Sequence, residues 1–209
     1  MLTIEINGKK LKVERGITIM KACEIAGETL TGTKVGRYCY NERLLIGGNC
    51  RMCLVEVEGI GKPVVSCSEE VREGLKVYTE TSLVRKSREG VMEFLLLNHP
   101  LDCPICDQGG ECDLQDESIR VGSERNRSYG HVRKEVTEKD MGSLVKTVMR
   151  RCIACSRCVR YISAICGAGE LGMVGRGVEV EVSNYINSSV RGNNMVGNVI
   201  DLCPVGYVR

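Results

Sequence analysis

Tryptophan is absent from this 209-residue sequence, phenylalanine occurs once and proline only four times. Seven tyrosines supply nearly all the aromatic surface. Long apolar runs are missing too. No stretch approaches the roughly 18 residues of a membrane span, so no bilayer crossing is expected. The opening residues, Met1-Leu-Thr-Ile-Glu-Ile-Asn-Gly, alternate like a strand where a secretory signal would place its apolar segment. No Arg-rich, acid-poor transit peptide is expected either, and the Asn126 and Asn187 sequons read as chance matches. Neither sign of charge dominates: 29 basic and 27 acidic residues are interspersed, for a net +2. That balance gives no sign of a nucleic-acid or anionic-membrane partner. There is no Gly-rich dinucleotide fingerprint after a strand, no phosphate loop and no nucleophile–base pair. No catalytic residue is assigned.

What the chain has in excess is cysteine, thirteen in all. Such a count signals either a disulfide framework in a secreted protein or metal ligation in a reducing compartment, and the N-terminus argues against secretion. Eleven cysteines and one of only two histidines fall into three ligand-like sets. The first is Cys39, Cys50, Cys53 and Cys67, spaced C-x10-C-x2-C-x13-C. The second is His99, Cys103, Cys106 and Cys112, spaced H-x3-C-x2-C-x5-C. The third is Cys152, Cys155 and Cys158, closed by a distant Cys203 that precedes Pro204. Each spacing suits an iron–sulfur cluster, because iron is thiophilic and a two-residue gap lets both sulfurs of C-x2-C face inward. Three such centres in one small chain point to electron conduction.

Spacing alone leaves alternatives. The first set shares only its C-x2-C pair and distant last ligand with plant-type ferredoxins, its first gap being ten residues rather than four. A zinc site of the C-x2-C…C type remains open there, as does Cys3His zinc for the second set. Gly36, Gly47 and Gly48 would let backbone amides approach the first cluster. In the second set, neutral imidazole in place of a thiolate removes a negative charge, which by itself raises the reduction potential. The third set departs from the bacterial C-x2-C-x2-C-x3-C-P run, and Cys203-Pro204 supplies its ending. Cys23 and Cys166 are left over and read as buried small hydrophobes. His131 reads as solvated.

Organisation follows the ligand sets. Alternation on either side of Asn7-Gly8 predicts a hairpin over residues 2–15. Thr18 is a candidate cap for a helix ended by Gly27. Cys53 to Glu58, Pro63 to Cys67 and Leu75 to Tyr78 read as strands, giving a small α+β domain of about 80 residues. A helix over residues 82–97 is expected to carry Leu83, Val84, Val91, Phe94 and Leu95 roughly on one face. His99 follows its end, because Pro100 disfavours helical backbone before it. A second helix runs from Cys112 to Arg120, residues 121–143 read as a polar linker, and Cys158 enters a helix through Tyr161. Residues 167–198 read as loops and short strands. The expected division is 1–79, 80–120, linker 121–143 and 144–209. Each segment has little apolar sequence, so clusters should staple them.

Several stretches carry a family resemblance: Gly48-Asn-Cys-Arg-Met-Cys-Leu-Val-Glu, Asn98-His-Pro-Leu-Asp-Cys-Pro-Ile-Cys-Asp-Gln-Gly-Gly-Glu-Cys, Arg151-Cys-Ile-Ala-Cys-Ser-Arg-Cys-Val-Arg and Gly197-Asn-Val-Ile-Asp-Leu-Cys-Pro-Val-Gly. Together they resemble the N-terminal part of the large iron–sulfur subunit of proton-translocating NADH:ubiquinone oxidoreductase, respiratory complex I, in its mitochondrial and α-proteobacterial branch. The resemblance implies a 2Fe–2S cluster on Cys39, Cys50, Cys53 and Cys67. It implies one 4Fe–4S cluster on His99, Cys103, Cys106 and Cys112, and another on Cys152, Cys155, Cys158 and Cys203. It also implies a β-grasp ferredoxin-like first domain, followed by small helical and ferredoxin-like 4Fe–4S domains. Partners would be peripheral-arm subunits, among them the flavin- and NADH-binding subunit. The family continues past Cys-Pro into a large domain, so a separate polypeptide carrying that domain is expected. An organelle-encoded subunit on the matrix side of the mitochondrial inner membrane is the expected setting, or the cytoplasmic face of a bacterial inner membrane. The alternatives are the diaphorase iron–sulfur subunit of a soluble NAD-linked hydrogenase and a zinc-bound structural module.

Overall fold

The structure, a computed structural model, describes residues 1–27, 35–125, 127–130, 133–139, 141, 144–169, 171–184 and 194–209. Asn126, His131 and Asn187, singled out in the sequence, lie outside these residues. The chain forms two compact units, Met1–Arg37 with Gly48–Met92 and Tyr38–Gly47 with Glu93–Arg209.

The first unit is built on a five-stranded sheet. Strands β1 (Leu2–Ile6) and β2 (Lys9–Val13) form the expected hairpin, pairing Leu2 with Val13 and Ile6 with Lys9. Asn7 and Gly8 both adopt positive φ, 48° and 84°, as a two-residue turn of the favoured twist requires. Asn7 is also tied to Thr79, 72 residues on in the chain. Its Oδ1 accepts from the Thr79 N–H at 3.0 Å, and its Nδ2 donates to Thr79 Oγ1 at 2.8 Å. Strands β3 (Leu54–Val57), β4 (Val64–Val65) and β5 (Lys76–Tyr78) complete the order β2-β1-β5-β3-β4. Only β1 and β5 run parallel; the other pairs are antiparallel.

Alternation along β1 buries Leu2, Ile4 and Ile6. Helix α1 (Ile19–Ile25) adds Ile19, Met20, Ala22 and Cys23 to this core. Thr18 caps it, accepting from the Lys21 N–H at 3.3 Å.

Helix α2 (Ser82–Asn98) begins as expected, with Thr81 Oγ1 accepting from the Val84 N–H. Its buried stripe keeps Val84 but continues through Arg88 and Met92, at successive four-residue steps, while Leu83 and Phe94 are 40% and 57% exposed. The reason is polar. Arg88 is buried because Nε and Nη2 both donate to the Leu54 carbonyl, at 3.1 and 2.8 Å, with Glu80 3.5 Å from Nη1. Hydrophobic periodicity cannot announce a core arginine.

The second unit contains helices α3 (Asp113–Val121), α4 (Arg157–Ala164) and α5 (Asn198–Leu202), with a hairpin of β6 (Leu171–Val174) and β7 (Glu181–Asn184). The short helix α5 has no counterpart in the sequence reading. The last residues return beside the approach to Cys152: the Val148 N–H donates to Tyr207 O at 2.7 Å, and Lys146 and Arg209 exchange two backbone bonds. Described residues of 121–143 are bonded to this unit. Arg133 Nε donates to His99 O, Lys134 Nζ to Val180 O, and Glu138 Oε2 accepts from the Met149 N–H.

Candidate metal centres

In the first set, Cys39 belongs to the second unit, and Cys50, Cys53 and Cys67 to the first. Cys53 and Cys67 are buried within 1% exposure. The C-x2-C loop turns through Arg51, a non-glycine residue at φ 59°. Ser66, beside Cys67, is locked to the Cys53 carbonyl by both its N–H, at 3.2 Å, and its hydroxyl, at 2.7 Å. On the other unit, Arg160 of α4 donates to the carbonyls of Cys39 and Leu45, and Arg157 to Tyr40 O at 3.0 Å. Two arginines among the third set's cysteines thus hold the segment that carries Cys39.

The second set is gathered around one cavity of about 430 Å³, lined by His99, Cys103, Cys106 and Cys112 together with Asp102, Arg151 and Gly206. His99 sits just beyond α2. Cys103 opens a short 3-10 turn, Cys103–Ile105, and Cys112 occupies the N-cap position of α3. Burial pushes the His99 imidazole down to about 4, against the attraction of Asp102 and with help from Arg151 and Arg133. The ring is therefore neutral near pH 7, as a ligand must be. Burial raises the Cys112 thiol, while the N–H groups of Gln115 and Leu114 pull it back. Gly206, three residues after Cys203, leaves room for the Cys106 side chain. A Cβ there would meet Cys106 Sγ at 2.3 Å.

The third set lies in the same unit. Cys155 and Cys158 are buried, and Cys152 and Cys203 half-buried. Each thiol is raised chiefly by burial, Cys152 and Cys203 to about 12, and the four act on one another electrostatically. The loop turns through left-handed Ala154 and Ser156, and the Ala154 N–H points to Cys152 Sγ at 3.4 Å. Buried Tyr207 has its phenol raised by burial and by Cys152, Cys158 and Cys203, and its hydroxyl lies 3.6 Å from Met141 Sδ. Of the two leftover cysteines, Cys23 is buried as expected but Cys166 is only half-buried, because it follows the end of α4.

The donor chemistry fits iron–sulfur clusters. Thiolates and one neutral imidazole suit iron, and the second set encloses a cavity which a side chain at Gly206 would enter. Among the described residues, no group of three His, Cys, Asp or Glu side chains is placed to hold a single metal ion.

Comparison with known proteins agrees with this chemistry. Residues 142–209 match a family described as NADH-quinone oxidoreductase subunit 3, ferredoxin-like domain. Residues 88–127 match the NADH-ubiquinone oxidoreductase-G iron-sulfur binding region. Residues 1–82 match a 2Fe-2S iron-sulfur cluster binding domain. The chain is 52% identical over 99% of its length to NADH dehydrogenase [ubiquinone] iron-sulfur protein 1, mitochondrial, of Solanum tuberosum. It is 53% identical, again over 99%, to the NADH-ubiquinone oxidoreductase 75 kDa subunit of Reclinomonas americana. This chain belongs to the large iron–sulfur subunit family of NADH:quinone oxidoreductase.

A bacterial relative, from the NADH-quinone oxidoreductase of Rickettsia felis, is 48% identical over the whole chain. In each case the chain spans only 27–30% of the relative. A crystal structure of an NAD+-reducing NiFe hydrogenase superposes with a TM-score of 0.85, covering all of this chain and 86% of that one. At 23% identity this likeness concerns the fold. Ferredoxin-like 2Fe–2S and 4Fe–4S domains are thus present in a mixed α and β chain. No helix among the described residues is long and apolar enough to cross a membrane.

The glycine in this family member's Cys-Pro-Val-Gly ending offers a direct test. Gly206→Ala should lower the iron content of the chain if the second set holds a cluster, because the added carbon would overlap Cys106 Sγ. Anaerobic iron analysis and low-temperature EPR measure this. Full iron retention would mean that Gly206 does not limit the cavity.

Proposed function

We propose that this chain relays electrons within the peripheral arm of proton-translocating NADH:ubiquinone oxidoreductase, from a flavin-bearing subunit towards ubiquinone. Three ligand sets in one member of this family carry the reading. The ligands are Cys39, Cys50, Cys53 and Cys67 for 2Fe–2S, then His99, Cys103, Cys106 and Cys112, and finally Cys152, Cys155, Cys158 and Cys203, for one 4Fe–4S each. The parallel pairing of β1 with β5 and the order β2-β1-β5-β3-β4 support a β-grasp first domain. The domain division is 1–79, 80–120 and 144–209, joined by 121–143.

When bound, such clusters accept and donate single electrons. The chain's own residues hold them and set their surroundings. Because the apo thiols of Cys152 and Cys203 titrate near 12, ligation at neutral pH displaces protons from them. NADH delivers two electrons at once, and the sequence carries no motif for nicotinamide or flavin, so a flavoprotein partner must divide the pair. Mitochondrial and bacterial relatives suit a place on the matrix face of the mitochondrial inner membrane, or on the corresponding bacterial face.

Iron and sulfide assays on the anaerobically prepared chain should return about ten of each per chain. NADH should bleach the visible spectrum only after a flavoprotein subunit is added. Zinc in place of iron, or bleaching by NADH alone, would overturn the reading.

A further inference from the structure

The cavity of the second set has a buried ion pair in its wall. Arg151, with a side chain 5% exposed, places Nε 3.0 Å from Asp102 Oδ2, and Asp102 is 15% exposed. Both residues line the cavity beside His99 and the three cysteines. Their positions in the chain are as telling as the contact. Asp102 directly precedes Cys103 of the second set, and Arg151 directly precedes Cys152 of the third. Arg151 Nη1 also donates to Gly206 O at 3.4 Å, and Gly206 packs on Cys106 Sγ. One guanidinium therefore joins the backbone approaches of two candidate centres. A second arginine, Arg150, reaches Asp102 Oδ2 at 3.0 Å but is 48% exposed.

A buried ion pair is a poor stabiliser, because desolvation offsets much of its attraction. Its placement matters more for any charge that changes nearby. A centre that takes up an electron gains negative charge. A guanidinium in the wall favours that state, a carboxylate opposes it, and the interior screens both weakly. The two act on the His99 ring with opposite signs in the same way.

We propose that the Arg151–Asp102 pair sets the reduction potential of the centre held by His99, Cys103, Cys106 and Cys112, and so the driving force between it and the centre beginning at Cys152. This rests on the reading of the second set as a cluster site. Arg151 and Asp102 are positioning and charge-setting residues that ligate nothing.

The test uses the whole chain, prepared anaerobically, with Arg151→Gln, Asp102→Asn, the double variant and Arg150→Gln. Iron and sulfide are measured first; a wild-type chain without iron would refute the cluster reading itself, separately from this proposal. EPR-monitored redox titration then gives the midpoint of each centre. Arg151→Gln should move the second centre to a more negative midpoint and Asp102→Asn to a more positive one. The double variant should lie between the two singles. Arg150→Gln should shift it less, its charge being screened by solvent. Single variants that shift the midpoint in the same direction, or leave it unmoved with iron intact, would overturn the proposal. If Arg151→Gln loses the cluster, Asp102→Asn and Arg151→Lys decide. A positive shift in the first and a near-native midpoint in the second support the proposal. Any other midpoints overturn it, and cluster loss in all three assigns the pair a structural role alone.

Discussion

Replacing His99 with alanine is expected to remove about four of the ten iron atoms proposed for the chain, or to convert the second centre to a smaller cluster. The other two centres should keep their EPR signals. The reason is local: His99 is held just beyond α2 by the turn bond from its N–H to Leu95 O and by Arg133 on its own carbonyl. Its ring lines the cavity of the three cysteines, and burial keeps it neutral where a ligand must offer a lone pair. No cysteine of the second set could substitute for it. His99→Cys should retain the cluster, and its midpoint should become more negative, because a thiolate adds one negative charge to the ligand shell. Iron analysis with EPR on both variants checks this. An alanine variant with the wild-type iron content and all spectra unchanged would remove His99 from the ligand set.

Much of the candidate machinery was legible in the sequence because ligation chemistry restricts residue type and spacing. Cysteine and histidine positions carried it, and proline helped: three of the four prolines, Pro100, Pro104 and Pro204, directly follow a candidate ligand. Cys203 shows why, with extended backbone at ψ 125° before Pro204. The hairpin and first helix were legible for a related reason, since Asn7-Gly8 suits the positive φ of the turn and Thr18 caps the helix through a bond three residues on. Long-range polar partners left no such trace. Nothing around Arg88 announces a bond to Leu54, 34 residues earlier, so the apolar pattern points to a face that includes the exposed Leu83 and Phe94. The same holds for Arg151 and Asp102, which look like ordinary solvated charges in the sequence. Backbone at Arg51, Ala154 and Ser156 was invisible too, because left-handed non-glycine residues are held there by their surroundings.

The largest stability effect is expected at Arg88. Arg88→Ala strips both guanidinium donors from the Leu54 carbonyl and leaves the volume of a fully buried side chain empty. It also takes a buried partner from Glu80, which retains the exposed Arg85 at 3.3 Å. Removing one side of a buried charged contact costs about 3–5 kcal/mol, against a total of about 5–15 kcal/mol for a small folded unit. A fall of more than about 10 °C in the melting transition of the first unit follows. Arg88→Met should recover part of this, because it refills the volume while leaving the carbonyl unpaired. Leu54 starts β3 immediately after Cys53, so the same change loosens a candidate ligand. Loss of the 2Fe–2S EPR signal on warming should therefore precede that of the other centres in the alanine variant. Thermal melting followed by circular dichroism and by EPR measures both. A destabilisation below about 1 kcal/mol would mean that water satisfies the Leu54 carbonyl as well as Arg88 does.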